Sequence, residues 1–366
     1  MKSFTFFLFF ALISFEYSYA QLSLPKTYRC GYTSKPLVVD GKDSEAAWRH
    51  APWTDNFVDI EGDKKPAPFH RTHVKMLWDE KNFYFFAELE EPHVWGTLTK
   101  DESVIYQDND FEIFIDPDGD GNHYFEFEVN ALGTKWDLLL TKPYRSGGTY
   151  LNHWHMTGLE SAVKVHGSIN DPSDTDQKWT VEVAIPWPSL MEGANRHPNR
   201  AFPSENEIWR LNFSRVQWKH KVDGKRYRKA TNPKTGRPYP EYNWVWSPQY
   251  AIDMHRPEHW GYVQFTKDAE NISSPMVLHN DELIKQHLFA AYRAQLKFSR
   301  KNRRLATLKE LNMESFRIKT AELKPILEKT HHMFEIRMQS PFSGKEWFVN
   351  QDGLLRYSSE RNKKSL

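Results

Sequence analysis

The segment richest in chemistry runs from Tyr124 to Asn130, where Phe125, Phe127 and Val129 alternate with Glu126, Glu128 and Asn130. A period of two sends neighbouring side chains to opposite faces of a strand, so Glu126 and Glu128 share one face. At a rise of about 3.3 Å per residue their backbones lie about 6–7 Å apart. Cleavage of a glycosidic bond needs two carboxyls about 5–5.5 Å apart for retention, or about 6.5–9.5 Å apart for inversion. The spacing permits an acid–base pair, and a solvated acidic strand face accounts for it without chemistry. Just upstream, Asp116-Pro117-Asp118-Gly119-Asp120-Gly121 gathers three carboxylates in one turn. It begins like an EF-hand loop, but position 12 is Phe127, which cannot ligate, and both flanks read as strands. Carboxylates this close need a cation or separation, so Asp116, Asp118 and Asp120 are candidate ligands of a structural calcium. His153-Trp154-His155 puts two imidazoles on one strand face, but spacing fixes no third zinc ligand beside them. Trp95, in Pro92-His93-Val94-Trp95-Gly96, is a loop aromatic able to line a binding end.

Short strands must position these residues. Segments 74–78 and 83–89 flank Asp79-Glu80-Lys81-Asn82, and 111–116 and 123–130 flank the acidic turn, giving two hairpins. Further strand signals lie at 136–141, 162–166, 179–185, 208–215, 243–246 and 261–265, separated by Pro- and Gly-containing loops. Many short strands punctuated by turns imply a mainly β chain built as an antiparallel β-sandwich. The character changes after residue 267. Leu283, Ile284, Leu288, Ala291, Tyr292, Leu296 and Phe298 follow a helical repeat over 281–311. A second helix is expected over 314–329, shortened or kinked by Pro325, and a small β-meander over 333–357.

Composition narrows the function. The chain has 366 residues with 49 Lys and Arg against 48 Asp and Glu, a balance that argues against nucleic acid as partner. One cysteine, Cys30, excludes an internal disulfide framework and a four-cysteine zinc site. Aromatic residues reach 15%, including 14 Trp, which suits sandwich cores and surfaces that stack on rings. Residues 1–20 read as a signal peptide: Lys2, an apolar run from Phe4 to Phe15, and Ser18-Tyr19-Ala20 before the cut. That run is too short to span a bilayer, no later stretch is apolar enough, and the protein is expected to be exported. Residues 281–366 carry 18 Lys and Arg against 10 Asp and Glu, a net of +8, while the remainder nets −7. The basic excess reads first as a solvated helical face, with contact to an acidic polymer or partner as the alternative.

Four stretches in order resemble the family 9 carbohydrate-binding modules and their DOMON-like relatives. They are Leu37-Val38-Val39-Asp40-Gly41 through Trp48; Val74 to Asp79 with Phe83-Tyr84-Phe85; Asp108-Asn109-Asp110-Phe111 through Asp116; and Trp179 through Ile185-Pro186-Trp187, followed by Trp209–Phe213 and Trp260-Gly261-Tyr262-Val263. The resemblance covers about residues 30–266 and implies a DOMON-like, jelly-roll-type sandwich over 21–266. The basic extension 267–366, a small α+β appendage, lies outside it. In these modules a sugar at a chain end lies between two aromatic side chains, with polar groups fixing its hydroxyls. The resemblance places the first aromatic at Tyr106 and the acidic contact at Glu112. It places a basic contact at Glu128, which is not basic here. The second aromatic position falls near Met254, beside His255, so Trp246, Trp244 or His255 must substitute. The family's structural calcium agrees with the Asp116 turn.

The resemblance implies a non-catalytic binder of poly- or oligosaccharide that works with glycan-degrading enzymes. A glycoside hydrolase or its accessory subunit is the alternative, as is a protein-bridging scaffold that has lost sugar binding. Some DOMON-like relatives hold haem through Met and His. Met254 and His255 are adjacent, point to opposite faces of a strand and cannot both be axial ligands, so neither haem nor a nucleotide is expected.

Overall fold

The structure is a computed structural model that describes residues 24–194 and 200–358. The expected signal peptide, residues 1–20, lies outside the described residues. No helix among the described residues is long and apolar enough to cross a membrane.

The alternating segments pair into one large sheet that curls into a β-sandwich. One half orders Lys135–Leu140, Tyr124–Asn130, Asp110–Asp116, Ile208–Gln217 and Gly261–Thr266. The other orders Thr72–Trp78, Asn82–Glu90, Lys178–Pro186 and Glu160–His166. Thr27–Tyr32 joins them, running parallel to Gly261–Thr266 on one side and to Thr72–Trp78 on the other. Phe111, Ile113, Phe125 and Phe127 from the first half meet Val74, Phe83, Phe85 and Val183 from the second in a single core. The rings of Phe85 and Phe213 touch across it edge to face, with centroids 5.9 Å apart. Each fully buried side chain of this size contributes about 1.5–3 kcal/mol.

The Leu37–Trp48 motif is a staple on the outside of the second half. Trp48 lies against Phe86 and donates Nε1–H to Glu182 Oε1 at 2.9 Å. Glu182 Oε2 accepts from the Asp40 and Gly41 amides, each at 3.0 Å. Gly41 turns with φ +77°, a conformation that side chains with a Cβ resist.

The C-terminal region has its own core. The helix Asp281–Asn302 sets Ile284, Leu288 and Tyr292 against Ile336, Trp347, Val349 and Leu355 of a four-stranded sheet. It is shorter than the helical repeat suggests, because Arg303 turns left-handed at φ 58° and closes it. The expected helix over 314–329 is instead three short strands, Phe316–Ile318, Ala321–Leu323 and Ile326–Lys329. Lys319, at φ 53°, makes the turn between the first two. This region docks on the sandwich through a two-pronged Arg293–Glu258 pair at 2.7 and 2.8 Å. The Leu355 amide also donates to the Asp120 carbonyl at 2.9 Å.

Candidate functional site

The strand register sets Glu112 opposite Glu128 on one side and Ser214 on the other. Glu126 and Asp110 share that outward face with them. The face is not the solvated surface that the alternation allowed. A largely aromatic layer of Phe114, Tyr124, Trp136 and Trp260, with Ile105, covers much of it. Glu112, Glu126 and Glu128 keep only 6%, 5% and 2% exposure, so the carboxylates lie recessed beneath that layer. Oxygens of Asp110, Glu112 and Glu128 lie within 4.8 Å of one another. Burial pushes the Glu112 carboxyl up to about 7. Burial, then the neighbouring carboxylates, raises Asp110, Glu126 and Glu128 well above the usual range. Carboxyls of this kind carry protons near neutral pH or take up a cation. Asp110 Oδ2, Glu126 Oε2 and Trp136 Nε1 are buried without a hydrogen-bond partner in the protein.

Aromatic side chains edge the recess. Trp136, Tyr150, Tyr144 and His255 make successive edge-to-face contacts, at 5.9, 6.0 and 4.5 Å between centroids. Tyr106, Tyr144 and Tyr150 are 39%, 37% and 40% exposed, so each is partly open to solvent. Burial raises the Tyr144 hydroxyl pKa, and Glu126, Tyr150, Glu128 and Tyr106 all add to the effect, which ties this ring electrostatically to the carboxylates.

The sequence-derived residues divide. Tyr106 belongs to the recess: its amide donates to Glu128 Oε2 at 3.0 Å, in a 3-10 turn over Ile105–Gln107. His255 adjoins it, with Nδ1 at 2.9 Å from the Tyr124 hydroxyl. Burial, then Arg145, depresses His255 to about 3 and keeps it neutral. Met254 packs into the aromatic layer, and its carbonyl accepts from Trp260 Nε1 at 2.9 Å. Trp95 and Trp246 require correction as stacking residues. Trp95 is buried with Val216, Trp218 and Tyr227, and Trp246 is a core side chain packed over Gly261. Trp244 is likewise buried in the core. Asp110, Trp136, Tyr144 and Tyr150 escaped notice as site residues. The cue was two tyrosines bracketing Gly147-Gly148 in a loop.

The Asp108-Asn109-Asp110 run is largely a hydrogen-bond hub. Asp108 Oδ2 accepts the Thr97 and Leu98 amides at 2.7 and 2.8 Å, and Asn109 Oδ1 accepts the Trp218 amide at 2.7 Å.

Two further carboxylate groups have ligating geometry. Asp116, Asp118 and Asp120 bring oxygens within 4.8 Å of one another. Asp116 also accepts the Gly119 and Gly121 amides, each at 2.9 Å. Burial, then Asp118 and Asp120, raises Asp116. The expected His153–His155 strand pair is not formed: the strand ends at Leu151, and His155 instead meets Glu102 and Asp137, whose oxygens lie 3.8 and 3.6 Å from its Nδ1.

The fold and this recess define a β-sandwich with an acidic, tyrosine-edged face on one sheet. Residues 39–231, more than half the chain, match the family described as Carbohydrate family 9 binding domain-like, and the chain belongs to that family. Exoglucanase XynX of Acetivibrio thermocellus is 26% identical over 153 residues, which are 42% of this chain and 12% of that protein. The chain thus spans only a small part of that relative. A family 9 carbohydrate-binding module of Caldicellulosiruptor kristjanssonii is 16% identical to the chain in structures with cellotriose and with glucose. The cellotriose structure covers 69% of this chain and 100% of its own, with a TM-score of 0.42. The glucose structure covers 68% and 100%, with a TM-score of 0.43.

Proposed function

We propose that the chain binds carbohydrate at the recess on the outward face of the Glu112 and Glu128 strands, as an exported protein that serves polysaccharide recognition or catabolism beside glycan-degrading enzymes. The observation that carries this reading is the meeting of buried carboxyl oxygens with three partly exposed tyrosine rings. A sugar has the matching two-sided character: hydroxyls at its rim and an apolar C–H face that stacks on an aromatic ring. Membership of the family supports the reading, and the apolar run 4–15 supports export. Calorimetric titration with cello- and xylo-oligosaccharides tests it. Tyr106→Ala and Tyr144→Ala should each weaken binding about tenfold, equivalent to about 1.4 kcal/mol. Unchanged affinity of both variants for every bound glycan refutes the assignment.

The raised carboxyls of Glu126 and Glu128 favour hydrolysis as a second reading, since a general acid must hold its proton near neutral pH. Release of reducing sugar that disappears in Glu128→Gln would establish it; a binding protein has no turnover to lose. For the Asp116 turn we propose calcium, ligated by Asp116, Asp118 and Asp120. Relief of their mutual repulsion should raise the unfolding temperature in calcium over EDTA, and Asp116→Asn should abolish that difference.

A further inference from the structure

The C-terminal helix meets the sandwich along a groove of about 580 Å³. Arg293, Lys297, Arg300 and Lys301 line it from the helix, at spacings that keep them on neighbouring turns of one side. Arg145, Arg256 and a single acid, Asp253, line it from the sandwich. The charges are not spent equally. Arg293 and Arg256 face Glu258, and Arg145 Nε lies 3.4 Å from Asp253. Lys297, Arg300 and Lys301 have no carboxylate partner among the described residues. Arg300 is nonetheless fixed in place, because its Nη2 donates to the Arg145 carbonyl at 2.9 Å. Ala251 and Leu296 give the groove an apolar wall. Like charges gathered in a partly enclosed groove attract anions, and a guanidinium fork fits the oxygens of a carboxylate or sulfate.

We infer that this groove holds the carboxylate or sulfate groups of an acidic polysaccharide whose neutral units occupy the sheet-face recess. The inference rests on the carbohydrate reading of that recess. Two loops make both sites. Tyr144 edges the recess while Arg145 lines the groove, and His255 adjoins the recess while Asp253 and Arg256 line the groove. A glycan passing Tyr144 therefore runs into the cationic walls. The division of charge gives the order of units, since the groove attracts an anionic sugar and the carboxyl-lined recess offers it no such attraction. The apolar wall suits the C–H face of a sugar ring.

Affinity electrophoresis of the full chain tests this, with gels containing polygalacturonate, dextran sulfate or neutral hydroxyethylcellulose, and sheared duplex DNA as competitor. At least one anionic polymer should bind about tenfold more tightly than the neutral one, and raising salt from about 50 to about 500 mM should erase most of the advantage. The polygalacturonate and dextran sulfate arms decide between carboxylate and sulfate. Lys297→Glu, Arg300→Glu and Lys301→Glu together should remove the anionic preference and leave neutral binding intact. A milder Lys297→Gln, Lys301→Gln pair, with thermal unfolding as a control, guards against a misfolded triple variant. Anionic binding unchanged in both variants overturns the groove, as does duplex DNA that competes as strongly as the glycans. The recess fails separately, if neutral glycan does not bind or if Tyr106→Ala and Tyr144→Ala both bind it as well as wild type.

Discussion

Glu112 is squeezed between Glu128 and Ser214 on neighbouring strands, and burial lifts its carboxyl from 4.5 to about 7. A carboxyl raised in the folded state favours folding only while protonated. Its contribution is complete below pH 4.5 and lost as pH rises through about 7. The shift corresponds to about 3 kcal/mol between those limits. Wild-type protein should therefore lose unfolding temperature between about pH 5 and pH 8, and Glu112→Gln should lose less over the same range. Parallel pH profiles for the two proteins would rule out this role for Glu112. The alternation that groups Glu126 and Glu128 was plain in the sequence, but their burial was not. Phe114 and Tyr124 share that face by the same period, but Ile105 and Trp260 come from outside the two strands, and no local period encodes the cover they complete. The same reason hid the fates of Trp95 and Trp246. A loop or strand tryptophan reads alike whether a distant segment buries it or leaves it free.

The strands show which elements local pattern specifies. Both predicted hairpins exist, because turn residues and a two-residue period agree there. Segment 314–329 misled because short apolar pairs flanking a polar turn imitate one side of a helix, and only packing against a sheet resolves such a case. Gly261 in Gly261–Thr266 marks a tighter constraint. A Cβ built there would stand 2.3 Å from the buried Trp246 ring, which is held by Phe213 and the surrounding core. Gly261→Ala should destabilise the sandwich by about 1–3 kcal/mol through overpacking, measured by urea unfolding. A variant as stable as wild type would mean that Trp246 repacks freely. Trp246→Phe in the Gly261→Ala background opens space beside the new methyl group and should return part of the loss.

Across the whole molecule, the charge asymmetry seen in the sequence acquires a structural meaning. The basic extension is seated on the sandwich by Glu258, which faces both Arg293 and Arg256. The Glu258 carbonyl also accepts from Gln286 Nε2 at 2.6 Å and from Arg210 Nη2 at 2.8 Å. Burial alone would raise the Glu258 carboxyl, but Arg293 and its neighbours hold it far below the usual carboxylate range. A depressed carboxyl stabilises above its free pKa of 4.5 and loses that contribution only as strong acid protonates it, so this joint should persist through ordinary acidic conditions. Glu258→Ala leaves two arginines partly buried against each other with only Asp253 nearby as counter-charge, a change that costs about 3–5 kcal/mol at a fully buried pair with none. The helix and its four-stranded sheet keep their own core, so the loss should fall on the joint rather than on either unit. Thermal unfolding should then separate into two transitions, and limited proteolysis should cut near residues 267–280 before either core is digested. Glu258→Gln keeps a side-chain oxygen to accept from Arg293 and should show a smaller separation. One cooperative transition in Glu258→Ala, with wild-type resistance to protease, would assign the joint to the smaller contacts instead: Lys142 with Asp352 at 2.7 Å, and Ser146 with Tyr292 at 2.6 Å.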